Sequence, residues 1–359
     1  MIRPFKQRGR KVRLSAVLFG MAGAGLLLWW RSPDWALLGQ AFTNVRWHWI
    51  LAALAFNILS VLARALCWWA ILHQALAAGR LRYMNVLSGY SVGLMANAVL
   101  PGRVGEIARV VVLQRKLGSR RRHWPTLFGT VVAHRLLDLI PAVALVAWVI
   151  YAAPIPAWAY TSLITALAVG SLLFLAGIAS ARAHDGYHLL DKLGPLQRVI
   201  AFSRQGLAVF RSPRMGSLAA AFQILGWICQ LLAVWTAMRA FHIDELPLVA
   251  AGLVLVMMNI AILFPLWPGN VGLLQAAVAL PLVSYGIRYA HGFVFGIGLQ
   301  VIEASVGIVF GLVFLGKEGI SFAAIRETRD AVAGNESDRQ SDQRPVADLE
   351  TRIQIEHNI

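Results

Sequence analysis

The sequence predicts an all-α polytopic membrane protein, and three observations carry that reading. Of 359 residues, 58% are apolar and only 14% charged, more grease than a soluble core requires. The apolar residues gather in eight runs that reach or exceed membrane-spanning length. The charge is unevenly placed: residues 317–359 hold 6 Lys/Arg against 9 Asp/Glu, leaving 27 basic and 8 acidic residues in 1–316. Those basic residues sit mostly in short loops, the positive-inside pattern with attraction to anionic headgroups. On a soluble chain such an excess would suggest nucleic acid; here it argues against that partner. Cys67 and Cys229 each lie within an apolar run and read as buried small hydrophobes rather than a disulfide or metal pair.

Residues 1–13 form a basic cytoplasmic N-terminus. The first apolar run, Leu14 to Trp30, ends in Leu28-Trp29-Trp30-Arg31 without a small-x-small cleavage pattern, so it reads as an uncleaved signal anchor. Further runs follow at 48–72, 83–113, 125–152, 160–180, 215–240, 247–286 and 290–316. Lengths near 20 residues suit single spans, but 83–113 and 247–286 are too long for one. Residues 14–316 thus make one transmembrane domain. Within it, 181–214 alternates Arg/Lys with Leu, Val and Phe and reads as an amphipathic or simple connecting cytoplasmic segment. Residues 317–359 read as a disordered cytoplasmic tail.

Each long run is interrupted by the same signature, Pro101-Gly102-Arg103-Val104-Gly105 and Pro268-Gly269-Asn270-Val271-Gly272. A backbone break in hydrocarbon survives only where protein or a polar cavity covers it, and paired breaks in two halves point to a transport site. Two unrelated packing kinks would also explain them. Arg80 and Arg82 precede the first broken run and Arg115, Lys116, Arg120, Arg121 and Arg122 follow it, so both its ends prefer the cytoplasm. The second is entered from Phe241-His242-Ile243-Asp244-Glu245 and left through Gly286-Ile287-Arg288, with little positive charge, so both its ends prefer the outside. The resulting topology has six full transmembrane helices plus two re-entrant Pro-Gly hairpins entering from opposite faces, as an inverted repeat would place them. Both termini are then cytoplasmic, in a plasma or inner membrane.

Around the first break the string Asn97-x-x-x-Pro101-Gly102-Arg103-x-Gly105-Glu106-x-x-Arg109 is chemically distinctive. Proline fixes a helix start and glycines admit a ligand to the backbone at a positive helix end. Arg103, Glu106 and Arg109 share a face at i, i+3, i+6. Two arginines around one carboxylate leave a positive surplus suited to a lipid phosphate, although interfacial snorkelling would also account for them. Arg64, one turn before Trp68, and Arg135 with Asp138 behind His134 fall inside other spans. Intramembrane ions seek one another, so Arg64 or Arg135 is expected to pair with Glu106 or Asp138; a purely local Arg135–Asp138 pair is the alternative. His134 reads as a proton relay or a packing residue, Glu303 as a weaker candidate, and Gln300 as a helix bridge.

These residues resemble a family: the flippase-like integral membrane domain of lysylphosphatidylglycerol synthases of the multiple peptide resistance factor type, also found as stand-alone membrane proteins. The string from Asn97 to Arg109 is similar to its central motif, Arg64 with Trp68 to its early Arg-x-x-x-Trp, and His134-Arg135-Leu136-Leu137-Asp138 to its Glu-Arg-x-x-Asp. Pro265-Leu266-Trp267-Pro268-Gly269-Asn270-Val271-Gly272-Leu273-Leu274-Gln275 resembles its second Pro-Gly motif. The resemblance covers about residues 10–316. This chain has His134 where the family shows Glu, and Asn270 and Gln275 where it shows Gly and Glu, so a carboxylate is missing from the second half.

The resemblance implies translocation of a phospholipid or glycolipid headgroup between leaflets, with a lipid-modifying enzyme as a second partner. The substrate-binding set is then Arg64, Asn97, Pro101, Gly102, Arg103, Gly105, Glu106, Arg109, Arg135, Asp138, Pro268, Gly269, Asn270, Gly272 and Gln275. Two readings from other classes stay open. One is a lipid-headgroup transferase using Glu106 or Asp138 as base, disfavoured because no soluble catalytic domain, Asp-x-Asp or Cys/His metal spacing is visible. The other is a small-solute or ion transporter. Neither a catalytic residue, a metal nor a cofactor is expected.

Overall fold

The computed structural model describes residues 44–76, 81–100, 104–117, 124–153, parts of 160–175, 209–210, 212–263 and 268–318. The predicted signal anchor, the tip Pro101–Arg103, nearly all of segment 181–214 and the tail beyond Glu318 lie outside the described residues. Every regular element among the described residues is helical. Met1–Gly311 forms one compact unit; the second, Leu312–Ile359, is described only as far as Glu318.

Among the described residues four helices are long and apolar enough to cross a membrane: α1 (Trp47–Ala75), α4 (Trp124–Ala152), α5 (Pro213–Ala240) and α8 (Tyr289–Glu318). At a rise of about 1.5 Å per residue each exceeds the roughly 30 Å hydrocarbon core. Each begins where the sequence permits. Pro213 occupies the first turn of α5 behind Ser212, where a missing N–H costs nothing. Leu51 and Leu59 on α1, and Val301 and Val309 on α8, stay exposed, as side chains facing lipid should.

Between α1 and α4 the first broken run forms α2 (Tyr83–Val99) and α3 (Gly105–Lys116). At about 1.5 Å per residue these 17 and 12 residues reach only about 26 and 18 Å, shorter than the roughly 30 Å hydrocarbon core. They run antiparallel against each other. A Cβ added to Gly93 would lie 2.8 Å from the Gly105 carbonyl, and one on Gly89 3.1 Å from that of Arg109, so only glycines admit this approach. Leu100 leaves the helix in extended backbone at φ −106, ψ 141, the conformation that a following proline enforces.

The second broken run has the same plan: α6 (Leu248–Leu263), a turn at Pro268–Asn270, and α7 (Leu273–Val283). Gly269 (φ 69), Asn270 (φ 47) and Gly272 (φ 91) occupy the left-handed region, which glycine enters freely and asparagine more readily than other side chains. The arms α6 and α7 pack together, as α2 and α3 do. The second break also packs on α2.

Small residues set the helix crossings, as expected where lipid gives no hydrophobic force between helices. Gly226 of α5 lies under α1, where the Ser60 hydroxyl donates to its carbonyl at 2.8 Å. The glycines of α8 touch both hairpins: Gly292 and Gly296 meet Ala279 and Gln275 of α7, while Gly307 and Gly311 meet Leu94 and Met95 of α2.

Candidate functional site

The polar residues of α1, α3, α4 and α5 converge on one cluster whose centre is Arg135, inside α4. Its guanidinium pairs with Glu106 at the first turn of α3 and with Asp138 one turn along α4, the latter at 3.2 Å. Glu106 also pairs with Arg109, so a single carboxylate joins two arginines from different helices. Asp138 accepts further hydrogen bonds from Trp227 Nε1 at 3.0 Å and from Gln223 Nε2, both on α5. The expectation that intramembrane ions pair across the bundle is thus met by Arg135. The local Arg135–Asp138 pair exists, but as one edge of a network over three helices.

Arg109 is held almost out of solvent, 3% exposed. It lies over the Trp68 ring at 4.9 Å, and Trp68 is anchored by its own Nε1 donating to Thr130 Oγ1 at 3.2 Å. Cation–π attraction is strongest when desolvated, so α1 and α4 together fix this guanidinium. Tyr90 of α2 packs edge-on against the His134 ring at 5.9 Å.

Arg64 departs from the expected pairing. Among the described residues no carboxylate lies within ion-pair distance of it; its guanidinium instead covers the Trp227 ring at 5.3 Å. The reason is that Asp138 already takes three donors. The lack of a Cβ on Gly226, where one would come 2.7 Å from Arg64 Cγ, opens the path for the arginine stem. Counting Arg64, Arg109 and Arg135 against Glu106 and Asp138 leaves one positive charge in excess.

Four of these helices also present buried polar atoms that have no hydrogen-bond partner: Arg64 Nε on α1, Arg109 Nε on α3, both ring nitrogens of His134 on α4, and Gln223 Oε1 on α5. Each such group costs about 1–3 kcal/mol if it stays unpaired. Unpaired buried groups of this kind are rare in folded proteins, so each calls for an explanation.

The remaining predicted residues divide between the two breaks. Asn97 accepts the Gly105 N–H at 2.8 Å on its Oδ1, satisfying a free amide at the start of α3; it is a strut of the hairpin beside the cluster. Pro101, Gly102 and Arg103 fall outside the described residues. Pro268, Gly269, Asn270, Gly272 and Gln275 form a separate group at the second break. There Asn270 Nδ2 donates to the Ala261 carbonyl at 3.2 Å, Gln275 Oε1 accepts the Gly272 N–H at 2.5 Å, and Gln275 Nε2 donates to Gln300 Oε1 at 2.5 Å. Gln300 Nε2 closes the ring on the Gly269 carbonyl, which makes it the helix bridge expected. This group holds no charge.

Sequence reasoning missed Ser60, Gln223, Trp227 and Gln230. A signal existed: Asn57, Ser60 and Arg64 recur at i, i+3, i+7 on α1, and Gln223, Trp227 and Gln230 at i, i+4, i+7 on α5. Each is a polar stripe within an apolar span.

Residues 14–311 match the family described as Lysylphosphatidylglycerol synthase TM region. A curated relative, a UPF0104 membrane protein of Pyrococcus horikoshii, is 28% identical over 129 residues, covering 35% of this chain and 37% of the relative. The chain therefore matches only about a third of the curated relative's length. No solved structure matches.

Proposed function

Because the chain belongs to the family of the lysylphosphatidylglycerol synthase transmembrane region, an integral membrane family tied to lipid modification or flipping, we propose that it moves an anionic lipid headgroup between leaflets. The observation that carries this reading is the convergence of unpartnered buried donors of Arg64 and Arg109 with a one-charge positive excess. A phosphodiester offers what the cluster lacks: a single negative charge and acceptor oxygens that match guanidinium geometry.

Glu106 pairs with both Arg109 and Arg135. An arriving phosphate would displace part of this pairing and draw in Arg64, while the acyl tails remain in lipid. The hairpins would open the cluster to one face and then the other, with both termini on the cytoplasmic side of the plasma membrane. A lipid-modifying enzyme that supplies the headgroup would be the natural partner. A transferase using Glu106 or Asp138 as base is less well supported, since both carboxylates are engaged by arginines, Trp227 or Gln223.

The test is reorientation of acyl-labelled phosphatidylglycerol in proteoliposomes, read by quenching of the outer leaflet. Arg64→Gln is the discriminating variant, because among the described residues Arg64 forms no salt bridge. Transport is expected to fall at least tenfold while the melting temperature barely moves; transport at the native rate would reject the site.

A further inference from the structure

One half-buried ionisable group plays no part in the cluster above. Glu303 is the fifteenth residue of the 30-residue α8, which places it at the middle of a span, where a carboxylate is costly. Among the described residues it has no ion-pair partner. Its one hydrogen bond comes from Gln230 Nε2 of α5, at 2.5 Å. Gln230 Oε1 in turn accepts from the Ser60 hydroxyl at 3.1 Å, and that hydroxyl also lies 2.8 Å from the Gly226 carbonyl.

This arrangement can be satisfied in two protonation states. When Glu303 is ionised, Gln230 donates to it and Ser60 donates to Gln230. When Glu303 is protonated, rotating the Gln230 amide by half a turn lets the carboxyl O–H donate to Oε1. The amide Nε2 then donates to the Ser60 oxygen, and Ser60 turns its proton to the waiting Gly226 carbonyl. The chain of hydrogen bonds from Glu303 through Gln230 to Ser60 is kept in either state, so the site takes up and gives back a proton without breaking the interface between α1, α5 and α8.

The charged group that faces Glu303 is Arg64, one turn beyond Ser60 on α1, and Arg64 interacts with both Glu303 and Asp138. On α5 the only ionisable neighbour of Gln230 is the Cys229 thiol, and α2, α6 and α7 carry no Asp, Glu, Lys or Arg. A phosphate that draws Arg64 toward the cluster therefore deprives Glu303 of the one cation that acts on it among the described residues and favours the protonated form. Gln300, one turn before Glu303 on α8, holds the second break, so the same helix carries the proton site and the second hairpin.

We propose that Glu303, with Gln230 and Ser60, is a proton-binding site that couples headgroup movement to the cotransport of a proton. The mechanism rests on the flipping function proposed above. The experiment uses the full chain in vesicles of phosphatidylcholine and phosphatidylglycerol with a trace of acyl-labelled phosphatidylglycerol. Acidifying the side from which the labelled lipid starts should speed its movement several-fold over equal pH, and Glu303→Gln should bring that ratio to one. A ratio of one in the native protein, an opposite sign, or a response to a sodium gradient instead would overturn the coupling. The second arm needs no transport: a native-minus-variant infrared titration should show a protonated carboxyl band that vanishes as pH rises. If the band is present but labelled lipid does not move, the proton site stands and the flipping function fails; if the band is absent, the proton site fails.

Discussion

The two hairpins share a signature, a pair of short packed arms and a contact with α8, yet their polar residues are disposed in opposite ways. The first packs its arms through Gly89, Gly93 and Gly105 and carries Glu106 and Arg109 into a charged cluster. The second folds its polar atoms onto themselves through Asn270, Gln275 and Gln300. One hairpin thus carries charged side chains into a cluster, and the other ties its polar atoms together through amides. Duplicated backbone breaks therefore need not duplicate the chemistry. The second half keeps the turn but replaces the carboxylate with a residue that both accepts and donates.

The strongest test of this asymmetry is Glu106→Gln. Glu106 alone joins Arg109 to Arg135, and Arg109 is 3% exposed. Removing one partner of a buried pair strands the other charge, at roughly 3–5 kcal/mol. The variant should melt well below the native protein and reorient labelled phosphatidylglycerol hardly at all. A native melting temperature would show that Arg109 has another partner, and the charged hairpin would lose its defining feature.

Next in size are the glycines, which separate the hairpins by steric cause. A side chain on Gly93 would meet the Gly105 carbonyl at 2.8 Å and Arg109 Cβ at 3.1 Å, whereas one on Gly272 meets nothing within 4 Å. Gly93→Val should therefore force the arms of the first hairpin apart and cost about 3 kcal/mol, in the range of overpacking. Gly272→Ala meets only its positive φ of 91 and should cost about 1–2 kcal/mol. Thermal unfolding in detergent compares the two directly. Equal losses would mean that packing at the first break is looser than its glycines indicate.

Much of this architecture was legible in the sequence, for physical reasons. Proline, glycine and an apolar run too long for one span leave few alternatives to a break in each, and both arm pairs are short and packed together. The Arg135–Asp138 spacing announced a pair, and Glu106 was the obvious carboxylate to meet it. What remained hidden was which arginine goes unpaired. That depends on the acceptors of Asp138 being filled by Gln223 and Trp227, 85 and 89 residues away along the chain. Glutamine and tryptophan on a span are ordinary, and only the fold shows that they outcompete Arg64. The role of Gln275 was hidden likewise, because reaching back to Gly272 requires the turn geometry itself.

The smallest expected effect concerns that glutamine. Gln275 caps the start of α7 by accepting the Gly272 N–H and donates across to Gln300. Gln275→Leu removes both interactions and should cost about 1–2 kcal/mol, the usual range for a lost N-cap. Gln275→Glu keeps the acceptor and adds a negative charge at a helix N-terminus, worth about 0.3–1 kcal/mol. The same carboxylate would face the Gln300 oxygen, and relieving that repulsion by turning the Gln300 amide gives up its bond to the Gly269 carbonyl. The two effects oppose each other at similar size, so the variant should melt within a few degrees of the native protein and transport at the native rate. A large gain in transport from this single carboxylate would show that the amide ring substitutes for a charge the second hairpin needs, and the division between a chemical and a structural break would have to be withdrawn.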